Sequence, residues 1–178
     1  MEILANQAVD IVRKEAALRT ENRELRTRLL INSRTDVAIA AGADGVHLRS
    51  DDVAVSVVRS IWTEANSNSR SSPPITTTPL VAVSCHAAAD VFRAESDRAD
   101  FVVFAPVFEK NDAPEVRPAG LAALREACLA KIPVLALGGV TLQNAASCLE
   151  ARAAGIAGIR LFQENKIEDV VRALRLQQ

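Results

Sequence analysis

The sequence has no tyrosine, one tryptophan, one methionine and five phenylalanines in 178 residues. So small an aromatic supply gives bases little to stack on and argues against recognition of single-stranded RNA. An excess of one charge is missing too: 21 Lys and Arg stand against 22 Asp and Glu, for a formal net charge of −1. That balance leaves no electrostatic footprint for nucleic acid or for an anionic membrane surface. No apolar run reaches the length that spans a bilayer. The first residues, MEILANQAVDIVRKE, carry acids early and lack the apolar core of a signal peptide. The expected compartment is therefore cytoplasmic. Cysteine is scarce: Cys85, Cys128 and Cys148 are odd in number, widely spaced and without a CxxC pair. They read as reduced, mostly buried thiols, not as a disulfide framework or a zinc site.

What is present is alternation. Ile132 to Leu137 is a near-continuous apolar run, as in a strand buried on both faces. Gly138 and Gly139 then permit a sharp turn and close backbone approach. Thr141 reads as a helix N-cap, with Leu142, Ala145, Ala146 and Leu149 giving an apolar face. A second strand is predicted from Gly155 to Phe162. A glycine pair ahead of a helix exposes N–H groups, a natural seat for phosphate. The same glycines also suit a tight turn with no ligand.

The rest of the chain repeats the unit. A helix is predicted from Asn6 to Arg28, with Ala8, Val9, Ile11, Val12 and Ala16 on its apolar side. Its mixed-sign run RTENRELRTR reads as an exposed face. A strand over 29–32, a helix from Asp36 to Ala41 and a strand from Gly45 to Leu48 follow. The next helix is predicted from Ala54 to Ala65, with Val55, Val58 and Ile61 inward. Residues 66–79, NSNSRSSPPITTTP, read as a polar surface loop within one domain, residues 1–178. Then come a strand over Leu80 to Ser84, a helix over Ala87 to Ala94 and a strand over Phe101 to Ala105. A long loop, a helix over Leu121 to Ala130 and a last helix over Ile167 to Leu176 complete the chain. Val170, Val171 and Leu174 should face inward in that last helix.

Six strands alternating with helices predict a parallel α/β fold of TIM-barrel type with about six βα units. Polar residues collect after the strand ends: Asn32 and Ser33, Arg49 to Asp52, Ser84 to His86, Glu109 to Asp112, Gly138 and Gly139, and Arg160. In a parallel barrel those ends share the rim where active sites sit. His47, inside an apolar strand, reads as a packed, hydrogen-bonded histidine and not as a catalyst.

Several segments, in this order, resemble the thiamine phosphate synthase and thiazole tautomerase family: LLINSRTDVAIAAGADGVHLRSDD, VAVSCH, FVVFAPVF, IPVLALGGVTLQNA and AAGIAGIRLF. The resemblance implies a phosphate-binding (β/α)8 barrel. It also implies thiamine biosynthesis: a hydroxymethylpyrimidine diphosphate joined to a thiazole phosphate, with release of pyrophosphate. By the same resemblance Asn32 and Ser84 would contact the pyrimidine substrate, and Asp52 would hold Mg2+. A second magnesium aspartate of the family pattern is Ser33 here. Lys110 is the nearest charge to the family's loop lysine. Gly138, Gly139, Ile159 and Arg160 would hold the thiazole phosphate. Tautomerase relatives carry a histidine at the position of Pro106, which makes that branch the weaker match.

A full family barrel has two more βα units, and a Gln-x-Arg-x-Lys motif for diphosphate that this sequence lacks. Six strands do not readily close an eight-strand barrel. Open strand edges would then favour a homo-oligomer. The alternative function is a non-catalytic homologue that binds a phosphorylated ligand.

Overall fold

The computed structural model describes residues 2–18, 27–68, 78–109 and 115–175. The chain divides into two compact units, Met1–Ala82 and Val83–Gln178. The strand β3 (Leu80–Cys85) runs across the division. Strand order follows sequence order, β1-β2-β3 in the first unit and β3-β4-β5-β6 in the second. This is the parallel α/β fold with six strands that the alternation predicts.

In the first unit, α1 (Glu2–Leu18) buries Ala5 and Val9, one turn apart. Ile11, expected inward, is 63% exposed, because two residues on from Val9 is roughly 200° around the helix. The side chain of Ala16 and most of the charged run lie outside the described residues. The helix does not extend to Arg28, since residues 27–29 have no helical structure. Arg28 instead pairs with Asp44 at 2.9 Å.

Asp44 organises the start of three strands. Its carboxylate also accepts the Leu29 N–H at 2.9 Å. Its own N–H donates to the Leu29 carbonyl at 2.9 Å, and its carbonyl accepts the Leu80 N–H at 3.0 Å. A buried carboxylate is tolerable here because a cation and backbone donors satisfy it. β1 (Leu30–Asn32) and β2 (Gly45–Leu48) run parallel, with Leu30 opposite Gly45 and Asn32 opposite His47. A Cβ at Gly45 would lie 1.8 Å from the Leu80 carbonyl oxygen, so no other residue fits there. Between these strands α2 (Thr35–Ala41) buries Val37, Ala38 and Ala41. In α3 (Val55–Asn68), Val55, Val58 and Trp62 are buried while Ile61 is 44% exposed. Positions i, i+3 and i+7 keep one stripe, and i+6 drifts off it. The helix also continues through Asn68 into the predicted loop, and residues 69–77 lie outside the described residues.

The second unit takes α4 (Ala88–Ser96), β4 (Phe101–Phe104), α5 (Gly120–Ala127), β5 (Val134–Ala136), α6 (Ala145–Glu150), β6 (Gly155–Ile156), α7 (Arg160–Gln163) and α8 (Ile167–Arg175). Phe104 lies opposite Ala136, and Ala136 opposite Ile156. Its core joins Val91, Phe104, Leu124, Ala136, Ala145 and Cys148. Three expectations change here. The strand predicted over 155–162 stops at Ile156, and Arg160 begins a short helix. An apolar run does not distinguish the two by periodicity alone. Thr141 is not the cap of α6, which starts after Asn144. The helix predicted to Ala130 ends at Ala127. In α8, Val170 is buried, and Val171 and Leu174 are half-buried.

The cysteines are mostly buried, as expected. Cys85 and Cys148 are buried, Cys128 is half-buried, and none is in a disulfide. Burial pushes the Cys85 thiol up to about 12 and the Cys148 thiol up to about 11, so neither supplies a thiolate near neutral pH. Among the described residues no helix is long and apolar enough to cross a membrane.

Candidate functional site

Most of the candidate residues fall into one cluster in each unit. In the first, Ser33 follows β1 with φ +57, in the left-handed region. Its N–H donates to the His47 carbonyl at 2.9 Å. Its hydroxyl donates to Asp52 Oδ2 at 2.5 Å. The same oxygen accepts the Arg49 N–H at 2.7 Å, and Asp52 Oδ1 faces Arg49 Nη2 at 3.4 Å. Asp51 lies 3.6 Å from the Arg49 guanidinium. The Ser33 hydroxyl, with the Arg49 N–H, holds the Asp52 carboxyl below the usual carboxylate range. Burial lowers the half-buried His47, an effect that the Asp52 charge partly offsets. Asn32, opposite His47, is exposed.

This donor set does not fit the magnesium site that the resemblance implies. Mg2+ wants near-octahedral oxygen ligands at about 2.0–2.1 Å. Here a hydroxyl stands at position 33, and it donates into the one remaining carboxylate. A guanidinium occupies the other side of that carboxylate. Among the described residues no three His, Cys, Asp or Glu side chains gather as a metal set.

The second cluster surrounds a cavity of about 530 Å³ at the ends of β5 and β6. Gly138, Gly139, Ile159 and Arg160, all singled out in the sequence, line it together. Gly139 has φ +63, and a Cβ there would lie 2.3 Å from the Glu109 carbonyl oxygen. Only glycine satisfies both conditions. The N–H groups of Gly138, Gly139, Gly158 and Ile159 donate to no acceptor among the described residues. Backbone donors left open around a cavity await a ligand acceptor or water.

Asn144 fixes the turn. Its Oδ1 accepts the Thr141 N–H at 2.8 Å, and its Nδ2 donates to the Gly139 carbonyl at 3.0 Å. Glu109 and Glu164 also line the cavity. Selection for an anion there would rest on N–H dipoles and Arg160, not on an excess of positive charge.

Sequence reasoning missed Asn144, Gly158 and Glu164. The signal for Asn144 is an Asx-type residue three places after Thr141 and five after Gly139. The signal for Gly158 is a glycine interrupting what had read as a strand. Ser84, half-buried on β3, does not line this cavity. Lys110 lies outside the described residues.

A family model described as thiamine monophosphate synthase matches residues 5–162. A putative thiamine-phosphate synthase 2 of Aquifex aeolicus is 36% identical over 148 residues, which are 83% of this chain and 72% of that protein. A thiamine-phosphate synthase of Methanoculleus marisnigri is 34% identical over 169 residues, 93% of this chain and 74% of its own length. Among solved structures, thiamine phosphate pyrophosphorylase from Pyrococcus furiosus aligns with a TM-score of 0.74 at 24% identity. That alignment covers 99% of this chain and 74% of the other, and it shows the shared fold. Sequence match and fold agree: the chain belongs to the thiamine monophosphate synthase family, and so to thiamine biosynthesis.

Proposed function

We propose that the chain joins a hydroxymethylpyrimidine diphosphate to a thiazole phosphate. The thiazole nitrogen bonds to the pyrimidine methylene carbon. The bond from that carbon to the diphosphate oxygen breaks, and its electron pair leaves with pyrophosphate. The observation that carries the reading is the cavity of the second unit, lined by Arg160 and by Gly138, Gly139, Gly158 and Ile159, whose N–H groups donate to no acceptor among the described residues. A phosphate monoester offers several acceptor oxygens, which match several converging donors. In this reading Gly138, Gly139, Gly158 and Ile159 bind the phosphate through backbone N–H groups. Arg160 supplies charge at the rim, and Asn144 keeps the turn in register. Cytoplasmic residence belongs to the same proposal, since three disulfide-free cysteines suit a reducing compartment.

The test is thiamine phosphate formation from the two phosphorylated precursors, with and without Mg2+, by the native chain and by Arg160→Ala. Loss of a charge-assisted contact should raise the KM for the thiazole phosphate roughly tenfold. Product at the same rate in both chains would contradict the assignment of Arg160. A second reading, a homologue that binds a phosphorylated ligand without transferring it, draws on the Asp52 oxygens, which Ser33 and Arg49 already engage. Tight binding of the thiazole phosphate with no product would select that reading.

A further inference from the structure

The loop after β4 is held from both sides, and one of its holders is a side chain with no role so far. The Ala105 N–H donates to the Cys85 carbonyl at 3.0 Å. The Ala105 carbonyl lies 2.6 Å from His86 Nδ1. A carbonyl only accepts, so Nδ1 carries the proton, and in the neutral ring Nε2 is the acceptor. Cys85 and His86 thus grip both backbone polar groups of one buried residue.

Beyond Ala105 the same segment packs against the cavity's glycine turn and reaches the cavity itself at Glu109. The Val107 N–H donates to the Leu137 carbonyl at 2.9 Å, and the Phe108 N–H to the Gly138 carbonyl at 3.0 Å. Phe108 Cβ and the Glu109 carbonyl oxygen stand 2.8 Å and 2.3 Å from where a Gly139 Cβ would be. Residues 105–109 therefore set where the Gly138–Gly139 turn sits. The anchor at their N-terminal end is His86, whose own backbone N–H is held by Asp90 Oδ2 at 3.2 Å.

We propose that His86 is a positioning residue for the phosphate cavity, a role that rests on the reading of that cavity as a phosphate site. It acts through the loop, as a latch on Ala105, and does not touch the ligand.

The experiment compares the native chain, His86→Ala and His86→Asn. It measures amide hydrogen exchange at Val107 and Phe108, with Leu124 in the core as control, together with titration by inorganic phosphate. A buried carbonyl left without its donor should speed exchange at Val107 and Phe108 about tenfold in His86→Ala and weaken phosphate binding by a similar factor. Exchange at Leu124 should not change. Asn, whose amide donates from a similar place, should restore both readouts, which a general loss of packing would not allow. Exchange and phosphate affinity within twofold of the native chain in His86→Ala would overturn the proposal. Faster loop exchange in a chain whose native form binds no phosphate would support the latch and overturn the phosphate reading.

Discussion

The Ser33 hydroxyl donates to Asp52 Oδ2 at 2.5 Å, from the end of β1 to the loop after β2. The hydroxyl and the Arg49 N–H together hold Asp52 ionised. A carboxylate whose folded pKa is lowered stabilises the fold above its unfolded value, and that gain fades as pH falls through the folded value. Burial lowers His47, so stability also declines as pH falls below its unfolded value. Chemical unfolding should therefore show weakening that begins below about pH 6.5 and deepens below about pH 4. Asp52→Asn should cost about 1 kcal/mol at pH 7 and remove part of the deeper step, to which Asp36, held down to about 2 by Arg34, also contributes. Equal slopes for variant and native chain below pH 4 would refute the assignment to Asp52.

Position 33 decides what Asp52 can do. A serine there donates a hydrogen bond to the carboxylate, whereas an aspartate would place a second negative charge beside it. Two neighbouring carboxylates repel unless a cation or a proton is shared between them. Ser33→Asp should therefore raise the affinity for Mn2+, read by the loss of its free-ion EPR signal, by roughly tenfold or more over the native chain, since hard cations bind through carboxylate oxygens. The Ser33→Asp, Asp52→Asn double variant should lose the gain. A native chain that already binds Mn2+ as tightly as the variant would contradict the donor-set argument.

Gly139→Ala tests the turn. The new Cβ would meet the Glu109 carbonyl oxygen at 2.3 Å with φ near +63. Either the turn or the 105–109 segment must move. The expected result is a stability loss of about 1–3 kcal/mol with inorganic phosphate affinity down at least tenfold, since strained backbone and misplaced donors add. Unchanged phosphate binding would show that the turn's N–H groups do not face the ligand.

Much of this was legible in the sequence. Short apolar runs closed by Gly or polar residues gave the strands, because a strand buried on both faces leaves little else to read. Val55 and Val58 were placed correctly, while Trp62 was missed. An i, i+3, i+6 reading takes Ile61, whereas the helix itself takes i+7. The end of the chain was harder. Gly155 to Phe162 is apolar but for Arg160, and only packing decides that Ile156 ends a strand and Arg160 begins a helix. Gly138, Gly139 and Arg160 were legible because glycine pairs and a rim arginine have local signatures. Asn144 and the contact that His86 makes were not, because their partners, the Gly139 and Ala105 carbonyls, are backbone atoms that any residue would supply. The Ser33–Asp52 bond joins positions 19 residues apart, and no local pattern announces it.

Glu164 offers the sharpest check on how the cavity selects its ligand. It lines the cavity with Glu109 and Arg160, so two acidic residues and one arginine border the same space. If phosphate is held by backbone N–H groups, the carboxylates oppose it and only modestly, because water screens exposed charges. Glu164→Gln keeps the side chain's size and removes one negative charge. Phosphate binding should then tighten by about twofold to fivefold at low salt, with the gain shrinking as ionic strength rises. Arg160→Ala should act in the opposite sense, and the two effects should offset in the double variant. The alternative is a ligand with a cationic group that uses Glu164 as its counter-charge. In that case Glu164→Gln would still tighten inorganic phosphate but weaken the larger ligand. Isothermal titration of both probes against the same variant separates the cases, because the sign of the change, and not its size, carries the answer.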